Sequence, residues 1–293
     1  MKTGIIGLGA MGTPMALNLH RAGFLEAVWN RTRVRGEQVG HRIGTFVAES
    51  PSELASRCEL IVTCVSRDSD VGAVVDALIP GLKKGAVVVD TSTVSAETAR
   101  KVAAAIAARD GNFLDAPVSG GVEGAKQGTL AMMVGGDAEV LERVQVPLYT
   151  IARRIVHLGP VGSGQATKAV NQIMAAGINQ AVTEALAFGQ AMGLPMDKVI
   201  DVVSSGAAAN WFLTHRGQSM LSGHFAPGFQ VELHEKDLHI CREMAKRLGG
   251  GTMPMVEMTS GDYRRLMEEG YGDEDISALF RLKIRQYPRS GVD

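Results

Sequence analysis

The sequence predicts two folding styles in one chain: an α/β domain built on a mainly parallel sheet, then an all-helical domain, joined by a long helix. Three observations carry this. Short apolar runs of strand character alternate with helical periodicity from residue 2 to about residue 160. From Gly164 to Met192 there is neither a proline nor a strand signal, so Gln165–Met192 reads as one helix, longer than the roughly 8–20 residues of most globular helices. After Gly193-Leu194-Pro195 only helical patterning remains.

The elements follow in order. Residues 2–7 read as a short buried strand running into a glycine turn. Residues 10–22 read as a helix, with Met11, Met15, Leu19 and Ala22 at helical spacing. Ala27–Asn30 is a second strand, followed by a helix. Leu60–Val65 is a third strand of unbroken apolar character, and Val71–Leu78 a helix. Ala86–Val89 is a strand ending at Asp90, and Ser95–Ala108 a helix with Ser95 as its cap. Residues 112–116, 131–134 and 155–158 read as strands, and 138–144 as a helix. Beyond the long helix come Met196–Ser204, Trp211–Met220, Leu233–Leu248, Val256–Glu268 and Asp275–Arg285, all helical. The tail Pro288–Asp293 is expected to be loose.

Composition narrows the function classes. The chain has 293 residues, 45% apolar and 21% charged, enough to bury a sizeable core in two domains. The net charge of -1 and the lack of any basic block argue against a nucleic-acid partner. The three cysteines, Cys58, Cys64 and Cys241, form no CxxC pair, which fits a reducing cytoplasm. No stretch reaches the roughly 20 apolar residues of a membrane span. The apolar N-terminus is broken by Gly4, Gly7, Gly9 and Gly12 and does not read as a signal peptide. A cytoplasmic protein is expected.

Gly7-Leu8-Gly9-Ala10-Met11-Gly12 matches GxGxxG between a strand and a helix, the context in which this pattern binds a dinucleotide. Gly7 permits the tight turn, Gly9 the approach of the pyrophosphate, and Gly12 the close packing of helix on strand. The helix N-terminus offers N–H groups and partial positive charge to the phosphates. The expectation is therefore an α/β Rossmann-type domain over residues 1–162 and an all-α domain over residues 163–293. A carboxylate usually ends the second strand where NAD is bound. Here Asn30-Arg31-Thr32 stands there, with Arg33 and Arg35 beyond. A guanidinium suits a 2′-phosphate, so NADP is expected over NAD, although NAD use stays open. The plainer reading of Arg31 and Arg33 is solvated loop charge.

Two further segments stand out. Ser119-Gly120-Gly121 follows a strand and exposes successive N–H groups and a hydroxyl, a nest that can hold a carboxylate; alone, it reads as a plain loop. Lys168 is the only cation between Arg154 and Lys198, in a helix of small and apolar residues, with Asn171 and Gln172 on the same face. Burial would lower its pKa and suit it to acid–base work; a lysine snorkelling from a helix start is the equal alternative. His234 and His239 are five positions apart, about 140° on a helix, so they do not form HExxH and no metal is expected.

Four motifs in this order resemble the β-hydroxyacid dehydrogenases, which include 3-hydroxyisobutyrate dehydrogenase, tartronate semialdehyde reductase and glyoxylate/succinic semialdehyde reductase. They are Gly7–Met15 (GLGAMGTPM), Asp115–Gly124 with Gly128-Thr129-Leu130 and Gly135-Gly136, Gly162–Gln172, and Lys236-Asp237-Leu238, covering about residues 2–286. The resemblance implies that Lys168 is the catalytic acid–base and that Ser119, Gly120 and Gly121 hold the substrate. It implies that Thr93 contacts cofactor and substrate, that Lys236 lies near the nicotinamide with Asp237 beside it, and that Phe229 walls the substrate pocket. Val65, ending the third strand, is placed with the cofactor. Some members carry asparagine four residues after the lysine; this chain has Gln172 there and Asn171 before it, the pair of the tartronate semialdehyde branch. Trp29-Asn30-Arg31-Thr32 looks more like the NADPH-using semialdehyde reductases, so the two cues select no single substrate. The resemblance implies hydride transfer between NADP and a small 3-hydroxy acid or its semialdehyde or 2-oxo counterpart, with the all-α domain holding the substrate pocket and the contacts of a homodimer or homotetramer. Alternatives are an imine reductase of the same architecture, which typically lacks the lysine, and a catalytically silent interaction module.

Overall fold

The computed structural model describes residues 1–287; the tail Pro288–Asp293 lies outside the described residues. Two compact units divide the chain, Met1–Lys168 and the part from Ala169 onward.

In the first unit the elements run β1 (Thr3–Ile6), α1 (Gly12–Arg21), β2 (Leu25–Trp29), α2 (Arg33–Ile43), β3 (Phe46–Val47), α3 (Pro51–Arg57), β4 (Leu60–Thr63), α4 (Asp68–Leu78), β5 (Val87–Asp90), α5 (Ala96–Ala107) and β6 (Asn112–Asp115). The six strands form one parallel sheet in the order β3-β2-β1-β4-β5-β6, the doubly wound arrangement that places a dinucleotide at the strand ends. The apolar runs are unbroken because both faces are covered. Ile5, Val28, Leu60, Val62, Val87, Val89 and Leu114 enter one core, while their neighbours Ile6, Ala27, Ile61, Val88 and Phe113 enter the other.

A second sheet, β7-β8-β9, follows, built from β7 (Val118–Ser119), β8 (Leu130–Val134) and β9 (Ala152–His157), with α6 (Gly121–Gln127) and α7 (Ala138–Leu148) between them. Its β7–β8 pair is antiparallel and its β8–β9 pair parallel. Here the structure corrects the sequence reading, in which Ser119-Gly120-Gly121, taken alone, is a plain loop. Gly121 opens a short helix closed by Gly128 in the left-handed conformation at φ 68°. Likewise, the single helix expected after the second strand is two helices, α2 and α3, separated by the two-residue strand β3.

The long helix α8 spans Ser163–Ala191, 29 residues. After it come α9 (Met196–Ser204), α10 (Trp211–Leu221), α11 (Val231–Arg247), α12 (Pro254–Glu268), a 3-10 turn at Ile276–Leu279 and α13 (Phe280–Ile284). The second unit has its own core, including Ala176, Leu186, Leu213, Leu238, Tyr263 and Phe280. On α8, Val170, Met174 and Phe188 are exposed at spacings that fall on one helix face. No helix among the described residues is long and apolar enough to cross a membrane.

Candidate active site

The glycine turn sits between β1 and α1. Gly7 adopts φ 97°, and a Cβ on Gly12 would stand 1.8 Å from the Gly7 carbonyl oxygen, so turn and helix meet where only glycine fits. A Cβ on Gly9 would meet nothing within 4 Å. No side chain caps α1; Thr13 N–H donates to the Gly9 carbonyl at 3.1 Å and Pro14 has no N–H, so the N–H groups left to an anion are those before Thr13. The turn is pinned from β2: Leu8 N–H donates to Asn30 Oδ1 at 2.9 Å, and Asn30 Nδ2 donates to the Thr32 carbonyl at 2.9 Å. Asn30, expected at the cofactor, thus organises the turn.

Beside the turn opens a cavity of about 270 Å³ lined by Gly7, Gly9, Arg31, Thr32, Arg35 and Val65, among others. Open space at Gly9, an uncapped helix start and a cavity between the ends of β2 and β4 are what a dinucleotide needs. The residues present therefore fit NAD(P). Arg31 is 81% exposed on its side chain, and its Nη1 donates to Asp70 Oδ1 at 2.6 Å. Asp70 also lines this cavity, and sequence reasoning missed it. Arg33 is bound instead to Glu37 at 2.8 Å and to Glu49, and it does not line this cavity.

The chemistry-bearing groups of the first unit converge on the ends of β5, β6 and β7. Lys168 is buried, and its Nζ donates to the Val118 carbonyl at 2.9 Å, one residue before Ser119. Gly120 and Gly121 follow with φ 127° and 62°, turning successive N–H groups into the start of α6. Thr93 is half-buried in the loop between β5 and α5.

Asp90, at the end of β5, supports this loop. Its Oδ1 accepts from Thr63 Oγ1 and Ser92 Oγ, both at 2.6 Å, while its Oδ2 is buried with no hydrogen-bond partner among the described residues. Burial pushes its carboxyl up to about 6, against hydrogen bonds from Ser92 and Thr63 that pull it down. The folded state therefore holds this proton more tightly than the unfolded chain, whose carboxyl titrates near the ordinary value. Stability from Asp90 is greatest below the unfolded pKa and falls as pH rises towards about 6. The unfolding free energy of wild type relative to Asp90→Asn is expected to increase by about 2 kcal/mol between about pH 7.5 and about pH 4.5. Urea unfolding at both pH values checks this; a flat or reversed difference contradicts a neutral buried carboxyl.

In the second unit, Gln172 Nε2 donates to Asp237 Oδ2 at 2.7 Å and Asn171 Nδ2 donates to Gln172 Oε1 at 2.7 Å. Lys236 pairs with Asp237 at 2.9 Å. An acceptor-only carboxylate thus fixes which way both amides face. Phe229 is half-buried against His234, ring centroids 5.1 Å apart. His234 is buried, in contact with the Tyr263 hydroxyl and the Gln172 carbonyl, whereas His239 is exposed. Among the described residues, no group of three or more His, Cys, Asp or Glu is placed to hold a metal ion.

The fold and the glycine turn define an NAD(P)-dependent oxidoreductase, and comparison with known proteins agrees. Residues 2–159 match the NAD-binding domain of 6-phosphogluconate dehydrogenase, and residues 162–283 match the family described as the NAD-binding domain of NADP-dependent 3-hydroxyisobutyrate dehydrogenase. An uncharacterized oxidoreductase of Shewanella frigidimarina is 38% identical over 95% of this chain and 96% of its own. The 2-hydroxy-3-oxopropionate reductase of Escherichia coli is 37% identical over 85% of each chain. Among solved structures, 3-hydroxyisobutyrate dehydrogenase of Mycobacterium tuberculosis with L-serine superposes with a TM-score of 0.85 at 29% identity, covering 96% of this chain and 98% of that one. The chain belongs to the 3-hydroxyisobutyrate dehydrogenase-like family of β-hydroxyacid dehydrogenases.

Proposed function

We propose that this enzyme interconverts a small 3-hydroxy acid and its semialdehyde or 2-oxo counterpart, with NADP preferred and NAD usable. The observation that carries the reading is the buried Lys168 amine held on the Val118 carbonyl, next to the Ser119–Gly121 nest. The proton donor on α8 is thus anchored on the residue that precedes the anion cradle.

When bound, the nicotinamide supplies or accepts the hydride. The protein does the rest. The Ser119 hydroxyl and the N–H groups of Gly120 and Gly121 hold the substrate carboxylate. The Lys168 ammonium gives its proton to the carbonyl oxygen as negative charge develops there; in the opposite direction the neutral amine takes the hydroxyl proton. Val118 fixes the amine's position, and Thr93 meets cofactor and substrate. The turn Gly7–Gly12 holds the cofactor with its pyrophosphate at Gly9–Met11, Val65 walls the cofactor, and Arg31 with Thr32 receives the adenosine 2′-phosphate. In the second unit, the linked set Asn171, Gln172, Asp237 and Lys236 is assigned, with Phe229, to substrate orientation and the nicotinamide end.

The test is a panel of glyoxylate, succinic semialdehyde, tartronate semialdehyde and methylmalonate semialdehyde, each with NADPH and NADH. L-serine with NADP and NAD is added because the solved relative holds it. Turnover of at least one substrate is expected, faster with NADPH; none with any would refute the reading. Arg31→Ala is expected to raise the KM for NADPH by roughly 10-fold, the low end for a charge-assisted hydrogen bond, with NADH little changed. An equal effect on both cofactors would remove Arg31 from the 2′-phosphate.

A further inference from the structure

The first turn of α8 carries a buried amide that the mechanism above does not use. Gln165 is 2% exposed. Its Oε1 accepts from the Val94 N–H at 3.1 Å, and its Nε2 donates to the Ser92 carbonyl at 2.9 Å. These two backbone groups flank Thr93. The backbone N–H of Gln165 itself donates to Asp115 Oδ2 at 2.9 Å, and Asp115 Oδ1 accepts from the Gly162 N–H at 2.7 Å. The helix start is thus fixed to the end of β6, and its side chain reaches across to the end of β5. From the other side, Ser92 Oγ donates to Asp90 Oδ1 at 2.6 Å and accepts the Val65 N–H at 2.9 Å.

We infer that Gln165 is a positioning residue, clamping the Thr93 loop to the helix turn that carries Lys168. This rests on the roles proposed above for Thr93 and Lys168. A carboxamide bonded at both ends has one allowed orientation, since flipping it sets N–H against N–H and oxygen against oxygen. Gln165 and Lys168 are three residues apart on one rigid helix, so the position of Thr93 is referred to the proton donor through a single turn. Asp115 holds that turn in register. Thr93 and Lys168 both need ångström-level placement, and a displacement of about 1 Å can lower turnover by about 10²-fold.

The test is Gln165→Leu, which keeps most of the side-chain volume and removes both hydrogen bonds. The kcat should fall by roughly 10- to 100-fold while the Kd for NADPH stays within a few-fold. The kinetic isotope effect with NADPH deuterated at the transferred position should increase, and amide exchange at Val94 should accelerate while that at Ala99 in α5 does not. A kcat close to wild type, or a loss of kcat with unchanged isotope effect and unchanged Val94 exchange, would overturn the inference. Should Gln165→Leu not fold, Gln165→Glu is read in the same way. It keeps the acceptor for Val94 and sets a carboxylate oxygen against the Ser92 carbonyl. Lys168→Ala run in parallel separates the two ideas. If it retains turnover while Gln165→Leu loses it, the lysine assignment fails and the clamp stands; if only Lys168→Ala is inactive, the clamp fails.

Discussion

Lys168→Ala is expected to lower kcat by roughly 10²- to 10⁴-fold, the range of a lost general acid–base, and to leave the Kd for NADPH within a few-fold of wild type. The split follows from where the residue sits. The amine is buried beside the Val118 carbonyl, next to the Ser119–Gly121 nest, while the glycine turn and its cavity are built from β1, β2, β4 and the helices that follow them. Removing the side chain takes away the proton source without touching a residue that lines the dinucleotide cavity. It also leaves the Val118 carbonyl without this donor, so some loss of stability is expected. Lys168→Met, which keeps the apolar stem and fills the space, separates the two effects. It should fold like wild type and still lack turnover. Stopped-flow measurement of hydride transfer, with NADPH titration by fluorescence, gives both quantities. Substantial turnover in Lys168→Met would rule out the lysine as proton donor.

What the sequence made legible follows the range of the interaction. The parallel strands, their helices and the long α8 were readable because each carries its own periodicity and its own boundaries. Ser95 does cap α5, accepting from the Thr98 N–H at 3.1 Å. The strand β3 was not readable, since two residues cannot display an alternation. It exists because Val47 packs on α2, where a Cβ on Gly40 would stand 2.1 Å from the Val47 side chain. The helix α6 was hidden because its leading glycines read as a loop. In the cofactor cavity, Arg31 was visible but its partner was not. Strand order sets β2 and β4 on either side of β1, which brings Asp70, at the start of α4, to the end of β2. A carboxylate absent from the end of the second strand is thus supplied from another element, where it pairs with Arg31. Gln165 lay inside a motif already noted, yet nothing local shows that its side chain reaches a loop about seventy positions earlier.

The second large effect contrasts two glycines of one motif. Gly12→Ala is expected to destabilise the fold, and Gly9→Ala to fold normally and fail as a cofactor site. A Cβ on Gly12 would lie 1.8 Å from the Gly7 oxygen and 3.0 Å from its carbon, both backbone atoms that cannot rotate away. The turn must open or α1 must lift from the sheet, and such overpacking typically costs about 1–3 kcal/mol, more where backbone is the obstacle. A Cβ on Gly9 meets no protein atom within 4 Å, and this glycine's backbone lies outside the positive-φ region, so alanine fits without strain. The space it would fill is the space through which the pyrophosphate reaches the turn. Thermal unfolding of Gly9→Ala should match wild type while the Kd for NADPH rises about a hundredfold, equivalent to about 3 kcal/mol. Gly12→Ala should show a lowered unfolding temperature, with binding lost in consequence. Full NADPH affinity in Gly9→Ala would mean that the dinucleotide does not approach across this turn. The whole contrast depends on one glycine being kept bare for a ligand and the other for the protein's own backbone.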